Sequence, residues 1–212
     1  LGGASFIKVE GTNFTDSLIV GHSTTGTLDA ATSNTGIGID ALDAITTGDR
    51  NVAVGHAAGT KLTTSEKNVM VGYYAGFNIT SSSGENTIVG DYAGSTMSST
   101  ANRNTLVGKS AGLLISTGDG NIAIGKSAGN NITSGTGNVV IGNADVSSAT
   151  GDDQLSISDG EDGSVVWMTG DSSGNLTMPA EIAAVSLDIS GAIDVDGTTN
   201  LDAVDIDGAV QI

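Results

Sequence analysis

An Asn, an apolar residue, any residue, a second apolar residue and a Gly recur along this chain every 17 or 18 positions. The copies open as NTGIG at Asn34, NVAVG at Asn51, NVMVG at Asn68, NTIVG at Asn86, NTLVG at Asn104, NIAIG at Asn121 and NVVIG at Asn138. A degenerate first copy, SLIVG, opens at Ser17. Spacing of two between apolar residues predicts a short strand whose apolar pair, such as Val52 and Val54, shares one face. Gly55, Gly72, Gly90, Gly108 and Gly125 follow these strands and turn the chain. An Ala then packs inward, and four residues later a single apolar residue marks a predicted second strand: Ile45, Leu62, Ile79, Met97, Ile115 or Ile132. Helix is a poor reading, because each Gly in a helix costs about 1 kcal/mol relative to Ala.

From the late apolar residue to the next Asn the gap is six residues, except after Ile79 and Met97, where it is seven. Insertion is confined to a Ser/Thr/Gly stretch, as expected for a surface turn of a stacked repeat. The fold class that follows is all-β: a repetitive, elongated β-roll or β-solenoid of coils 17–18 residues long. An 18-residue triangular β-helix would need apolar residues at every sixth position, and the copies lack them. Stacked coils align like residues. The file of Asn34, Asn51, Asn68, Asn86, Asn104, Asn121 and Asn138 then has two readings. Each Asn hydrogen-bonds to its copy in the next coil, or each merely tolerates a turn conformation.

The pattern changes after the last coil. QLSIS (154–158) and SVVWMTGD (164–171) flank the turn-forming DGEDG and predict a hairpin. NLTM and Pro179 close that segment, and Trp167 is expected to cap the end of the roll. From Glu181 onward apolar and acidic residues alternate, with Leu187, Ile189, Ile193, Val195, Leu201, Val204 and Ile206 as the apolar face of a fibrous shaft. The organisation is thus a connecting strand over 1–16, an eight-coil β-roll over 17–153, a hairpin transition over 154–179 and an acidic β-shaft over 180–212.

Composition adds an expectation about assembly. The chain has 32 Gly but only three Phe, three Tyr and one Trp. About four apolar side chains per coil is a thin interior, set against roughly 1–2 kcal/mol of backbone entropy per ordered residue. Packing of three chains about a long axis would complete it, so a homotrimer is expected.

Charge and cysteine usage exclude several classes. The net charge is −17, and all seven basic residues lie at or before Lys126. Nucleic acid would be repelled. With no cysteine there is neither disulfide nor thiolate metal site. No stretch approaches the ~20 apolar residues that span a bilayer, so membrane insertion is not expected, and no secretory-signal pattern is visible. The chain opens on Leu1 and reads as a segment of something longer.

Candidate chemistry is sparse. Asp194, Asp196, Asp205 and Asp207 form D-x-D-G pairs but lack the ligand spacing of an EF-hand or a calcium-binding β-roll. His22 and His56 occupy one repeat position that elsewhere holds Asp, Tyr or Lys, which argues for an exposed site rather than a metal ligand or base. Gly108-Lys109-Ser110 and Gly125-Lys126-Ser127 lack the upstream Gly of a phosphate loop. Thr46-Thr47, Thr63-Thr64, Ser81-Ser82 and Ser98-Ser99 form a hydroxyl array too irregular for ice. Paired carboxylates for glycoside hydrolysis are available, but the aromatic platform of sugar-cleaving sites is nearly absent. Catalytic, cofactor and metal residues are therefore assigned as none.

The N-[TV]-x-[VI]-G-x-x-A-G-x-x-[LI]-T-T-G units resemble repeats in tail fibres of bacteriophages, notably those of marine and cyanobacterial phages. QLSISDGEDGSVVWMTGDSSGNLTMP and LDISGAIDVDG look like such fibres too, so the resemblance covers nearly the whole chain. Heads of trimeric autotransporter adhesins use a similar Asn/Ala/Gly β-roll of shorter period, but this chain lacks their coiled-coil stalk heptads. The resemblance implies a homotrimer in the virion, at its extracellular surface, joined to other virion tail proteins and contacting a host surface receptor, a glycan among the candidates. It implies a structural and attachment role without catalysis. A bacterial adhesin head and a tailspike-type polysaccharide depolymerase are the alternatives.

Overall fold

The computed structural model describes residues 7–11, 13–21, 27–98 and 100–180. The predicted shaft, with its four Asp candidates and its apolar face, lies outside the described residues, as does His22. The described part is all-β, a β-solenoid of about eight turns without a helix.

One strand per coil builds the stack. After β1 (Ile7–Gly11), β2 (Phe14–Val20) and the two-residue β3 (Ala31–Thr32) come six three-residue strands: β4 (Thr35–Ile37), β5 (Val52–Val54), β6 (Val69–Val71), β7 (Thr87–Val89), β8 (Thr105–Val107) and β9 (Ile122–Ile124). They are followed by β10 (Val139–Ile141), β11 (Leu155–Ser158), β12 (Val166–Gly170) and β13 (Leu176–Thr177). β2 and then β4 through β11 pair in parallel, in unbroken register. Val52 pairs with Val69, Val69 with Thr87 and Thr87 with Thr105. Each register step spans 17 or 18 residues along the chain except the last, Val139 to Leu155, which spans 16.

The orientation of each strand follows from its Asn. Asn34, Asn51, Asn68, Asn86, Asn104, Asn121 and Asn138 are all buried. Successive residues of a strand face opposite ways, so the residue two after each Asn also faces inward. That residue, which the repeat leaves free, forms one core file: Ile19, Gly36, Ala53, Met70, Ile88, Leu106, Ala123 and Val140. The apolar pair faces out. The Ala file (Ala41, Ala58, Ala75, Ala93, Ala111, Ala128) and the late apolar file (Ile45 through Ile132) close the core from the other walls.

The predicted second strand does not form. Around Ile45, Leu62 and Ile79 the chain runs in turns, with Ile45 N–H donating to Leu42 C=O (3.2 Å) and Leu62 N–H to Gly59 C=O (3.0 Å). Two left-handed residues precede each of these positions, such as Tyr74 (φ 57°) and Gly76 (φ 59°), and curl the backbone out of β geometry. Neighbouring coils still hydrogen-bond there, as Gly59 N–H to Ala75 C=O and Gly76 N–H to Ala93 C=O, both 3.0 Å. Gly36 and Leu42 show how core volume is conserved. Gly36 brings no side chain to its place in that file, and the Leu42 side chain lies beside it. Leu42 accepts a φ of 55° at a position that holds Gly in the next five coils.

Both ends of the parallel stack are covered by antiparallel strands. β1 pairs with β2, so the predicted connecting strand is half of an N-terminal hairpin. At the other end β11 is at once the last parallel rung and the first strand of the predicted hairpin with β12, and β13 pairs with β12. Such cover protects edges that would otherwise template aggregation. Trp167 does not cap the roll. Its position on β12 leaves it 56% exposed, because β12 pairs edge-on with β11 instead of folding over the core.

The Gly after each strand has a steric cause. Gly72 adopts φ +139°, and a Cβ there would collide with the Gly90 carbonyl of the next coil. Gly120 also has positive φ (+63°), but a Cβ there would meet nothing within 4 Å. Gly72→Ala should therefore cost about 3 kcal/mol or more, and Gly120→Ala only about 1 kcal/mol, measured by urea denaturation of the two variants against the parent.

Candidate functional site

A single file of side-chain amides runs through the interior. Asn51 donates to Asn34 Oδ1 from its backbone N–H (3.0 Å) and from Nδ2 (3.1 Å). The same pair of bonds links Asn68 to Asn51, Asn86 to Asn68, Asn104 to Asn86, Asn121 to Asn104 and Asn138 to Asn121. Each Nδ2 also donates to a carbonyl across the coil, such as Asn51 to Ser65 (2.9 Å) and Asn104 to Gly118 (3.0 Å). The file begins where Asn34 N–H donates to Ser17 Oγ (2.8 Å) and ends on Gln154, which donates to Asn138 Oδ1 from N–H (2.9 Å) and Nε2 (3.0 Å). The Asn file is thus a hydrogen-bonded ladder and not merely a set of turn-tolerant residues. Its amides face one another and the coil backbone, so it is an internal scaffold with no surface for a ligand. The Gly55, Gly72, Gly90, Gly108 and Gly125 file is equally structural, each lying against the next coil's backbone.

The hydroxyl files are also engaged. Thr46 Oγ1 donates to Thr63 C=O (3.1 Å), Thr63 Oγ1 to Thr80 C=O (3.2 Å) and Thr64 Oγ1 to Ser81 C=O (2.7 Å). Beyond them the extra residues after Ile79 and Met97 open a polar cleft of about 400 Å³, bordered by Glu66, Lys67, Ser82, Glu85, Asn102 and Arg103. Arg50 pairs with Glu66, Lys67 with Glu85 (3.3 Å) and Arg103 with Asp119 (3.5 Å) from coil to coil. These pairs are exposed, worth about 0–1 kcal/mol each. Among the described residues no group of three or more His, Cys, Asp or Glu is placed to hold a metal ion. No described helix is long and apolar enough to cross a membrane.

Most of the few aromatic residues gather in one cluster on the coils. His56, Tyr73, Tyr74, Phe77 and Tyr92 come from three successive coils and meet at one turn edge. His56 stacks on Tyr73 (centroids 5.2 Å), Tyr74 on Phe77 (4.7 Å) and Tyr74 on Tyr92 (5.4 Å). Tyr73 meets Tyr92 edge to face at 5.3 Å, with planes at 67°. The Lys61 ammonium lies 5.0 Å over the Phe77 ring, a cation–π pair. Hydrogen bonding to Tyr92 raises the pKa of the Tyr73 phenol above its ordinary value. The aromatic count conceals this cluster. Written out at the period, the two positions after each Gly read His56-Ala57, Tyr73-Tyr74 and Asp91-Tyr92, which is the signal for it. His56 itself is exposed and belongs to this stack.

A third surface is the outer face of the parallel sheet. Thr35/Ile37, Val52/Val54, Val69/Val71, Thr87/Val89, Thr105/Val107, Ile122/Ile124 and Val139/Ile141 form two adjacent columns without a charge. Val69 is 37% exposed, Ile122 38% and Ile124 41%.

The hairpin turn of residues 159–165 is organised by one carboxylate. Asp159 Oδ1 accepts from the N–H groups of Glu161 (2.9 Å), Asp162 (3.0 Å) and Gly163 (3.2 Å), and Oδ2 from Val165 (2.7 Å). These bonds, with Val165 foremost, lower its pKa from 3.8 to about 2. No protein-family model, curated protein or solved structure matches the chain.

Two predictions follow from these arrangements. Asn86→Ala leaves the Ala101 carbonyl and the Asn104 N–H without the amide that bonds them, and should lower stability by roughly 2–4 kcal/mol in chemical denaturation. A depressed carboxylate pKa stabilises the fold above the ordinary value of 3.8 and ceases to do so as pH falls towards 2. The protection of the Val165 amide, referred to its intrinsic exchange rate at each pH, should therefore fall between pH 4 and pH 2, and Asp159→Asn should show low protection throughout that range.

Proposed function

We propose that this chain is a structural segment of a phage tail fibre, a homotrimer at the virion surface that contributes to host attachment without catalysis. The observation that carries the reading is the uncharged double column of β-branched side chains along the parallel sheet. A chain of net charge −17 keeps its carboxylates off this face throughout the coils. An extended apolar surface of this kind marks a contact with another protein. Because the columns repeat at every rung, a partner with the same rung spacing meets them along their whole length, and another copy of this chain has that spacing. Three copies about one axis cover all three of these faces. A stack held by backbone bonds and a buried amide file also suits a part that transmits force and presents surface. The partners in this reading are two further copies, other virion tail proteins and a host-surface receptor.

Native mass spectrometry of the purified chain tests it. Three chains per particle is the expected result, and Val71→Lys with Ile124→Lys should yield single chains that keep the β-rich circular dichroism of the parent. A parent that stays a single chain at micromolar concentration would sink the reading.

A further inference from the structure

The aromatic cluster on the coils that open at Asn51, Asn68 and Asn86 has no structural necessity. The same two repeat positions hold Lys109-Ser110 and Lys126-Ser127 in the following coils, and the fold there is unchanged. Tyr73 and Tyr92 nevertheless keep 44% and 39% of their surface exposed. Exposed stacked rings forfeit burial that a core position would give, so their concentration at one place points to a ligand. Tyr supplies rigid, amphipathic contact area with little rotamer entropy to lose.

The geometry points to a glycan, and we propose that Tyr73 and Tyr92, backed by His56, Tyr74 and Phe77, form a carbohydrate-binding platform on the side of the roll. The two rings stand at 67° to each other. A pyranose can lay its array of C–H bonds on one electron-rich ring face while meeting the edge of the other. Polar groups that could engage its hydroxyls lie on the same coils: Asp91 precedes Tyr92 in the chain, and Lys61 lies over the Phe77 ring. The Lys109 ammonium is 3.6 Å from the Asp91 carboxylate. Lys61 Nζ donates to Asn78 Oδ1 at 2.7 Å. The phenol of Tyr73 can both donate and accept.

Other occupants fit less well. Another copy of this chain would present its contacts at every rung, as the β-branched columns do, whereas the rings occupy three coils only. A lipid surface would favour apolar side chains without the interleaved Asn, Lys, Asp and phenol groups. The inference deepens the fibre reading, since it names the receptor class and the residues that meet it, but a single chain could bind through the same rings.

Isothermal titration of the purified 212-residue chain with cellohexaose, chitohexaose, yeast mannan and a lipopolysaccharide core oligosaccharide tests it. At least one probe should bind, and the double variant Tyr73→Ala with Tyr92→Ala should weaken that binding by about tenfold or more. Tyr73→Phe should retain binding within about threefold, because the ring face remains. Trp167→Ala, remote in sequence and on β12, should leave it unchanged. Both tyrosines are exposed, and an unaltered thermal melt of the variants verifies that the fold persists. Failure of all four probes to bind, or equal binding by the double alanine variant, overturns the platform. Loss of the three-chain mass with glycan binding intact would overturn the fibre assembly and leave the platform standing.

Discussion

The buried amide ladder is the interaction on which the rest of this structure depends. An Asn side chain turned inward at the start of every coil cannot be left without partners, because an unpaired polar group in the interior costs on the order of 1–3 kcal/mol. Here each amide is satisfied by its copies above and below and by a carbonyl across its own coil. That solution exists only if coils stack in register. The ladder therefore converts a sequence period into a rigid axial repeat. It also sets the phase of each strand: with Asn inward, the next-but-one residue is inward and the β-branched pair faces out.

This phase explains how a chain so poor in large side chains forms a dense interior. The cross-section is narrow, and small residues fill it. Ala41, Ala58 and their equivalents form one wall, and the late Ile, Leu or Met forms another. Where Gly36 leaves space, Leu42 lies beside it despite an unfavourable backbone conformation. Where Met70 extends toward the same region, the facing positions are Gly59 and Gly76. The glycine file after the strands answers a separate demand, since consecutive coils approach there too closely for a Cβ. Core volume and backbone approach are thus conserved by different residues, and both read as a small-residue motif in the sequence.

The surfaces carry different amounts of repetition. The Asn file and the β-branched columns recur throughout the coils. The aromatic stack and the polar cleft belong to the coils between Asn51 and Asn104, where the two inserted residues also fall. The insertions fall only in the Ser/Thr corner, which stays bonded to its neighbours through Thr63 N–H to Thr80 C=O and Arg103 N–H to Gly84 C=O. A solenoid can in this way vary one edge while holding its axis constant.

Much of the architecture was legible in the chain itself. The period, the parallel stack and the hairpin at 154–171 follow from Asn-φ-x-φ-Gly spacing and from DGEDG, since these are local signals repeated many times. The late apolar residues misled as strands, because a lone Ile between polar residues carries no sign of the left-handed backbone that precedes it. The inward face of each strand was hidden for a related reason: period-two spacing shows that Val52 and Val54 share a side but cannot say which. Burial of the neighbouring Asn decides that, and only stacked coils make such burial tolerable. Aromatic residues separated by a full coil become neighbours for the same cause, so the sequence alone determined the repeat, while tertiary stacking decided what each repeated position touches.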